Sequence, residues 1–296
     1  MPRTRTPLPA EWADSPFLTR EALARSIPAA YALRAGPDQA ISHTTALLLW
    51  GAPLPRRIER QSTMHVSSVG PSRPRTRLTT PHRLYLERTP TTVLDGCLIT
   101  EPAVSWVQSA PLLSLEDLVA AGDFLITGTE PYDGGTPLVR MPQLADAIRI
   151  QYGARGIRKA REAFALLRYG SLSRRESFTR LMLTRGGLPE PELNYVVVDE
   201  NGSTVAMVDL AHVEFRVATE FESLLHLDPT KFRRDIAKQQ ALADIGWATH
   251  RLTSDDVDPR LSTSASRAAV SRIRRSLLAR GWNPREWSYP RAKSQE

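Results

Sequence analysis

Residues 170–280 carry an ordered series of helix and strand patterns, and this order restricts the fold more than any other feature of the chain. The run "SRRESFTRLMLTRGG" predicts a helix that is capped by Ser173 and stopped by two glycines. Three strand patterns follow, and the Asn-Gly pair after the first of them indicates a tight hairpin. A helix, the strand "WATHRLT" and the basic helix "STSASRAAVSRIRRSLLARG" complete the series. The order α-β-β-β-α-β-α predicts an α/β domain.

Carboxylates occupy the predicted strands, where such side chains are usually depleted. The stretch "VDLAHVEFRVATEFESLLH" places Asp209, Glu220 and Glu222 within two adjacent strands. If the hairpin turns at Glu214–Phe215, Asp209 lies directly opposite Glu220, and a turn one residue earlier makes them diagonal neighbours. Because strand side chains alternate, Glu222 shares the face of Glu220. The sequence therefore predicts three carboxylates on one sheet face.

Carboxylates at such short range raise each other's pKa unless a cation neutralises them. Mg²⁺ prefers oxygen ligands, keeps several waters and can activate one of them for attack on a phosphodiester. We therefore expect Asp209 and Glu220 to hold Mg²⁺ or Mn²⁺, with Glu222 as a further ligand or a group that orients water. The other interpretation is a solvated strand face without a ligand.

The basic charge of the chain is concentrated in its second half. Residues 1–150 hold 15 Lys and Arg against 14 Asp and Glu, while residues 151–296 hold 24 against 18. A cationic surface around an anionic pocket suits a protein that attracts nucleic-acid phosphates to a metal site. Codon usage is the alternative source of this charge, because 35 arginines stand against four lysines.

Cysteine content and hydropathy indicate a cytoplasmic protein. Cys97 is the one cysteine of the sequence, which excludes an internal disulfide and a cysteine-based metal cluster. The start "MPRTRTPLPAEW" lacks the apolar core of a signal peptide. No stretch approaches the ~20 apolar residues that cross a bilayer. We therefore expect no membrane association.

The first half of the chain predicts an α+β arrangement. "SPFLTREALARSI" and "SHTTALLLWG" have the pattern of short helices, and "EPAVSWVQSA" and "LSLEDLVAAGDFLI" predict two more. Further helices are predicted at Met141–Ile150 and Ile157–Leu167. Strand-like runs stand at Met64–Ser67, Arg83–Glu87 and Val93–Thr100.

The second half resembles the PD-(D/E)xK nuclease superfamily, and more closely a domain related to the very short patch repair endonucleases. The matching pieces are "SRRESFTRLML", "GLPEPELNYVVVDENG", "VDLAHVEFRVATEFESLLH", "FRRDIAKQQALADIGW" and "HRLTSDD". The resemblance implies an α/β restriction-endonuclease-like domain over residues 169–282. An α+β N-terminal domain over residues 1–168 would precede it, and a tail over residues 283–296 would follow.

Carried over residue by residue, the resemblance implies a metal-dependent endonuclease site. The metal-binding aspartate falls on Asp209, the strand acids on Glu220 and Glu222, the histidine on His226 and the helix glutamate on Glu176. In this arrangement Asp209 and Glu220 bind the metal, and His226 is a candidate proton acceptor.

Two of these residues also have structural interpretations. Glu176 stands three residues after Ser173, which fits a capping box at a helix start. His226 fits a cap of the helix that begins near Asp228.

The sequence departs from the family at three positions. Val208 replaces the proline before the aspartate, Glu222–Ser223 replaces an Asp-Gly pair, and no lysine stands two residues after Glu220. These departures favour a nuclease fold whose activity is weakened or lost.

Basic residues on two predicted helices are candidate phosphate contacts. Lys231, Arg234 and Lys238 share one face at i, i+3, i+7 spacing, and some superfamily members take the motif lysine from this helix. Arg272 and Arg275 lie on the closing helix. We expect these five residues to engage DNA, although such a run is also typical of a solvated helix face.

The runs "AISHTTALLLWGAPLP" and "LITEPAVSWVQSA" resemble the N-terminal region of bacterial proteins related to AbiEi-type antitoxins. Such chains usually begin with a DNA-binding winged helix. The segment before Ser42 is short for that motif, with one clear helix and a break at Ile27–Pro28. A small α+β packing domain is the alternative.

Three functions follow from these patterns. The first is a Mg²⁺-dependent DNA endonuclease, and the second is a non-catalytic, antitoxin-like DNA-binding transcriptional regulator on a degenerate nuclease fold. The third is a partner-binding protein whose basicity reflects codon usage alone.

Overall fold

The computed structural model describes Gly36 and residues 38–61, 63–69, 79–128, 135–222 and 229–285, without the side chains of Leu86 and of residues 229–234. The chain divides into two compact units, one of Met1–Ile126 with Leu138–Leu166 and one of Thr127–Pro137 with Leu167–Glu296. Each unit combines α-helices with a mixed β-sheet. The helix predicted in "SPFLTREALARSI" lies outside the described residues.

The first unit is built on a five-stranded sheet. Its strands are β1 (Gln39–Ile41), β2 (Met64–Ser68), β3 (Thr79–Arg83), β4 (Thr91–Leu94) and β5 (Cys97–Thr100). Their order in the sheet is β3-β2-β1-β5-β4. Strand β1 is antiparallel to β2 and parallel to β5, whereas β2 and β3 are parallel.

Six helices of the first unit are described. They are α1 (His43–Leu49), α2 (Arg56–Glu59), α3 (Pro102–Ser109), α4 (Leu115–Thr127), α5 (Met141–Ile150) and α6 (Ile157–Ala165). Helix α1 ends where Gly51 adopts a φ of 85°, a conformation that glycine takes without strain. The fully buried indole of Trp106 in α3 donates to Leu118 O at 2.8 Å, which joins α3 to α4 inside the core.

Two strand predictions for this unit are wrong. The run Val93–Thr100 is a hairpin rather than one strand, because Asp95 and Gly96 have φ of 48° and 80° and turn the chain between β4 and β5. Positive φ at both central residues is the mark of a type I′ turn, for which Asp-Gly is a favoured pair. The run Arg83–Glu87 is not a strand either, since β3 ends at Arg83 and a 3₁₀ turn follows.

The second unit has the predicted order α-β-β-β-α-β-α. Its elements are α7 (Arg174–Arg185), β6 (Glu192–Val198), β7 (Thr204–His212), β8 (Val217–Phe221), α8 (Pro229–Asp244), β9 (Ala248–Leu252) and α9 (Ser264–Ala279). The sheet order is β6-β7-β8-β9, with antiparallel pairs except for the parallel pair β8–β9.

Helices cover this second sheet and form its core. Helix α8 packs against β7 and β9, and its buried Leu242 lies in one apolar cluster with Ala218 and Trp247. Trp247 is therefore a core residue of this unit. Helix α9 packs against α7 and β9. Among the residues that the structure describes, no helix has the length and apolar character that crossing a membrane requires.

Candidate functional site

The register between β7 and β8 fixes the position of the strand carboxylates. Leu210 pairs with Thr219, and Ala211 pairs with Ala218, so the same register sets Asp209 opposite Glu220. A 3₁₀ turn over Val213–Phe215 makes the connection. The predicted cross-strand pair is therefore present, and strand alternation brings both carboxylates to one face of the sheet.

Asp209 is a half-buried residue whose surroundings disfavour its charge. Its Oδ2 accepts a hydrogen bond from Phe221 N at 2.8 Å. Burial raises the pKa of the Asp209 carboxyl to about 6, and the negative charge of Glu176 adds to the rise. The Phe221 N–H and the Lys238 ammonium act in the opposite direction without reversing it. A carboxylate in this environment gains much from a nearby cation.

Glu220 is paired with a lysine of the following helix. The Lys238 Nζ lies 2.6 Å from Glu220 Oε1 and 2.8 Å from Oε2, and only the contact with Oε2 has hydrogen-bond geometry. Burial raises the pKa of Glu220, and Lys238 lowers it, while Asp209 and Glu222 raise it further. The buried Oε1 accepts no hydrogen bond within the described part of the chain.

Glu222 follows β8 and faces the last strand of the sheet. Its N–H donates to Leu252 O at 2.7 Å, which continues the pairing of β8 with β9. Its Oε1 accepts a hydrogen bond from Arg251 Nε at 2.5 Å. Arg251 stands in register with Glu220 and also lies 3.8 Å from Asp235. This carboxylate is therefore already neutralised by an arginine.

Glu176 belongs to the first turn of α7 and serves that turn. The Ser173 side chain caps the helix by accepting from Glu176 N at 3.2 Å. The Glu176 Oε2 accepts from Leu172 N at 2.8 Å and from Asn194 Nδ2 at 2.6 Å. Burial nevertheless raises the pKa of Glu176. Glu176 therefore supports the helix start, and its charge also reaches Asp209.

The donor set fits a hard divalent cation that keeps most of its waters. No group of three acidic, histidine or cysteine side chains within the described ranges is arranged as a finished metal cage. Asp209 and Glu220 nevertheless face each other on adjacent strands, and the Lys238 ammonium 2.6 Å from Glu220 Oε1 marks the position where a cation is stabilised. Mg²⁺ is commonly bound by one or two carboxylates with water completing the octahedron. Asp209 and Glu220 are the residues that could hold it.

The basic residues predicted to bind phosphate are separated by the sheet. The Lys238 ammonium is paired with the Glu220 carboxylate, so it is not part of an open basic helix face. Burial lowers the pKa of His250, and the Arg272 charge lowers it further. His250 pairs with Thr219 and so leaves the sheet on the face opposite to Glu220. Arg275 is exposed on the same helix, α9. Arg272 Nη2 lies 3.7 Å from Asp256 Oδ1, and the assignments of Arg272 and Arg275 as phosphate contacts stay predictions.

Three predicted site residues have side chains outside the described part of the chain. His226 falls wholly outside it, and so do the side chains of Lys231 and Arg234, whose backbone belongs to α8. Their assignments as proton acceptor and phosphate contacts stay predictions.

The sequence patterns did not identify two polar residues at the site. Asn194 adopts a φ of 47° in β6 and bridges Glu176 and Gly170 O through its Nδ2. An asparagine inside an apolar strand is the signal that could have found it, because asparagine tolerates the left-handed conformation. Arg251 carries a weaker signal, since its pairing depends on the register of a distant parallel strand.

The chain is similar to two uncharacterized proteins of Mycobacterium tuberculosis, one from strain CDC 1551 / Oshkosh and one from strain ATCC 25618 / H37Rv. Each is 34% identical over 177 residues, which are 60% of this chain and 62% of the relative. The chain thus spans less than two thirds of the length of these curated relatives. No family model and no solved structure matches the chain.

Proposed function

We propose that the protein is a metal-dependent DNA endonuclease whose second unit is a restriction-endonuclease-like catalytic domain. The observation that carries this proposal is the pair of half-buried carboxylates Asp209 and Glu220, opposite each other on adjacent strands with Lys238 at the same point. Burial and mutual repulsion make the ionised form of such carboxylates energetically unfavourable in the absence of a cation. A site of this kind therefore favours a divalent ion.

Each residue has a distinct part in the proposed reaction. Asp209 and Glu220 would hold Mg²⁺ or Mn²⁺, which lowers the pKa of a bound water and stabilises the leaving oxygen. Lys238 would release Glu220 to the metal and place its ammonium beside the scissile phosphate. Glu176 would orient Asp209 through its charge, and Glu222 would stay with Arg251 at the rim. In this scheme the motif lysine comes from the helix after the strands.

Incubation of the purified protein with plasmid DNA and Mg²⁺ or Mn²⁺ tests this function. We expect metal-dependent nicking or linearisation that stops when EDTA is added. Asp209→Ala should abolish it, because one ligand and its strand-held position are lost. Glu214→Gln is the matched control, since Glu214 is an exposed acid in the turn of the same hairpin. Equal cleavage by the wild type and Asp209→Ala would refute the assignment.

A second candidate function is a non-catalytic, antitoxin-like DNA-binding regulator. It is favoured by the ion pairs that Lys238 and Arg251 make with Glu220 and Glu222, because these cations balance two of the acids without any metal. This candidate predicts salt-sensitive DNA binding without cleavage under either metal ion. Its distinguishing result is unchanged DNA affinity in Glu220→Gln.

A further inference from the structure

The first unit carries a cationic surface that the carboxylate site does not use. Five basic residues compose it, and we call it the α2–α6 basic surface: Arg56, Arg57, Arg155, Arg158 and Lys159. All of them except the half-buried Lys159 are exposed. Three of the five lie beyond residue 150, in the more basic half of the sequence.

The turn between α3 and α4 brings the two helices of this surface together. Arg57 Nη2 of α2 donates to Leu112 O at 3.3 Å, and Lys159 Nζ of α6 donates to Leu113 O at 2.7 Å. Gly156 packs so closely on this turn that a Cβ there would lie 2.8 Å from Pro111 N. Cations from two separate segments are therefore fixed around one backbone turn.

Nearby acids leave this positive charge largely uncompensated. Glu116 and Asp117, at the start of α4, are each 5% exposed, and Glu59 of α2 is half-buried, so none of these three acids is fully exposed at the surface. Glu162 is the exposed acid of α6. Within the described ranges, Arg155 and Arg158 make no ion pair with it or with any other acid. Two guanidinium groups thus remain available to an external anion.

An exposed aromatic ring stands at the edge of the same surface. Tyr152 is 60% exposed in the turn that leads from α5 to α6. The Arg88 guanidinium lies 4.6 Å from the centre of its ring and donates to its hydroxyl at 3.2 Å. Arg88 O in turn accepts from Gln151 Nε2. These contacts hold the Tyr152 ring at the surface, with the Arg88 guanidinium on one of its faces.

We propose that the α2–α6 basic surface binds the phosphate backbone of a nucleic acid, with Tyr152 stacking on a base at its edge. Arginine fits phosphate because its planar guanidinium forms two parallel hydrogen bonds. Exposed aromatic rings beside such cations are the usual platform for unpaired bases. An anionic membrane would instead call for several apolar anchors beside the cations. This surface is separate from the carboxylate site.

Salt-dependent binding of a labelled oligonucleotide in EDTA tests this proposal with the full chain. Arg155→Gln/Arg158→Gln should bind duplex DNA more weakly. Its plot of log affinity against log salt should be less steep by roughly 0.9 for each phosphate that the variant no longer neutralises. Arg149→Gln is the matched control, because Arg149 is an exposed arginine paired with Asp146 at 3.2 Å. Tyr152→Ala should weaken single-strand binding more than duplex binding.

Two results would overturn the proposal. The first is a double variant that keeps the wild-type affinity and salt slope for both oligonucleotides. The second is a double variant that no longer binds phosphatidylserine vesicles while its DNA binding is unchanged. Asp209→Asn separates this proposal from the nuclease, since it should keep full binding in EDTA whether or not the wild type cleaves plasmid.

Discussion

At the level of single residues, burial decides what the acids of the second unit can do. The Glu222 side chain is 32% exposed and pairs with Arg251, whereas desolvation and the charge of Glu176 raise the pKa of the half-buried Asp209. An ionised carboxylate in that position destabilises the folded chain unless a cation joins it. We therefore expect the ionised Asp209 to lower the free energy of unfolding of the metal-free protein, and the proposed metal to offset this loss.

Asp209→Asn should stabilise the metal-free protein at pH 7. The wild-type carboxyl is ionised in both the folded and the unfolded state at this pH, so the folded state bears the full cost of its raised pKa. A shift from 3.8 to about 6 corresponds to a gain on the order of 3 kcal/mol, reduced by any weakening of the Phe221 hydrogen bond. Urea unfolding in EDTA measures it, with Glu214→Gln expected to change little. A less stable Asp209→Asn would show that this acid is a structural group.

Lys238→Ala should have the opposite effect on the metal-free protein. It leaves Glu220 buried without its cation, while the lysine side chain in this pair is 28% exposed and the glutamate 16%. Partial solvent screening limits the expected decrease in the free energy of unfolding to about 1–2 kcal/mol. Added Mn²⁺ should restore much of this stability, because the metal takes the place of the ammonium. Destabilisation without recovery in Mn²⁺ would contradict the proposed exchange of partners.

At the level of helices and strands, sequence patterns predicted the element order and the hairpin register, because local interactions determine both. The order of the second unit followed from caps, glycine stops and the Asn-Gly turn, and the Asp209–Glu220 pairing followed from hairpin register. The pairing of Lys238 with Glu220 could not be predicted from spacing, because it depends on how α8 crosses the sheet. The β4–β5 hairpin replaces the single predicted strand, because the Asp95-Gly96 turn separates two short apolar runs that otherwise have one continuous strand pattern.

The start of α7 couples helix stability to the site. Ser173→Ala removes the hydrogen bond to Glu176 N and should lower the free energy of unfolding by about 1 kcal/mol. Thr263→Ala at the start of α9 removes the matching bond to Ser266 N and should cost a similar amount. Only Ser173→Ala should also weaken Mn²⁺ binding, since Glu176 acts on Asp209. Equal metal binding by both variants would limit Glu176 to its capping role.

At the level of the whole molecule, the histidine cluster of the first unit and Asp209 of the second should respond to acid with opposite signs. In the first unit His43 and His82 stack with ring centres 3.7 Å apart, and His65 Nδ1 lies 2.8 Å from His82 Nε2. Burial and the neighbouring imidazoles lower the pKa of His43 to about 2 and that of His65 to about 4. Protons therefore bind these rings more readily in the unfolded chain than in the folded one.

The sign of each pH dependence follows from whether the folded or the unfolded state binds more protons. Between about pH 4 and 6.5 the unfolded chain binds protons that the folded histidines do not, so the first unit loses stability as the pH falls. Between about pH 4 and 6 the folded Asp209 holds a proton that the unfolded chain has released, so the contribution of this carboxyl to stability falls as the pH rises. In the same unit His212 acts in the opposite direction, because burial lowers its pKa to about 4. Denaturation from pH 4 to 7 should show a steeper rise with pH for Asp209→Asn and a shallower one for His65→Gln. Parallel pH profiles for all three proteins would contradict these assignments.

Isothermal titration of Mn²⁺ or Mg²⁺ at pH 7 is the sharpest check on the carboxylate site, because it asks only whether Asp209 and Glu220 hold a cation together. We predict saturable binding to the wild type and to Glu214→Gln, weaker binding to Glu220→Gln, and no binding to Asp209→Asn. Wild-type protein that binds neither ion, or Asp209→Asn that binds as the wild type does, would show that these acids do not form a metal site.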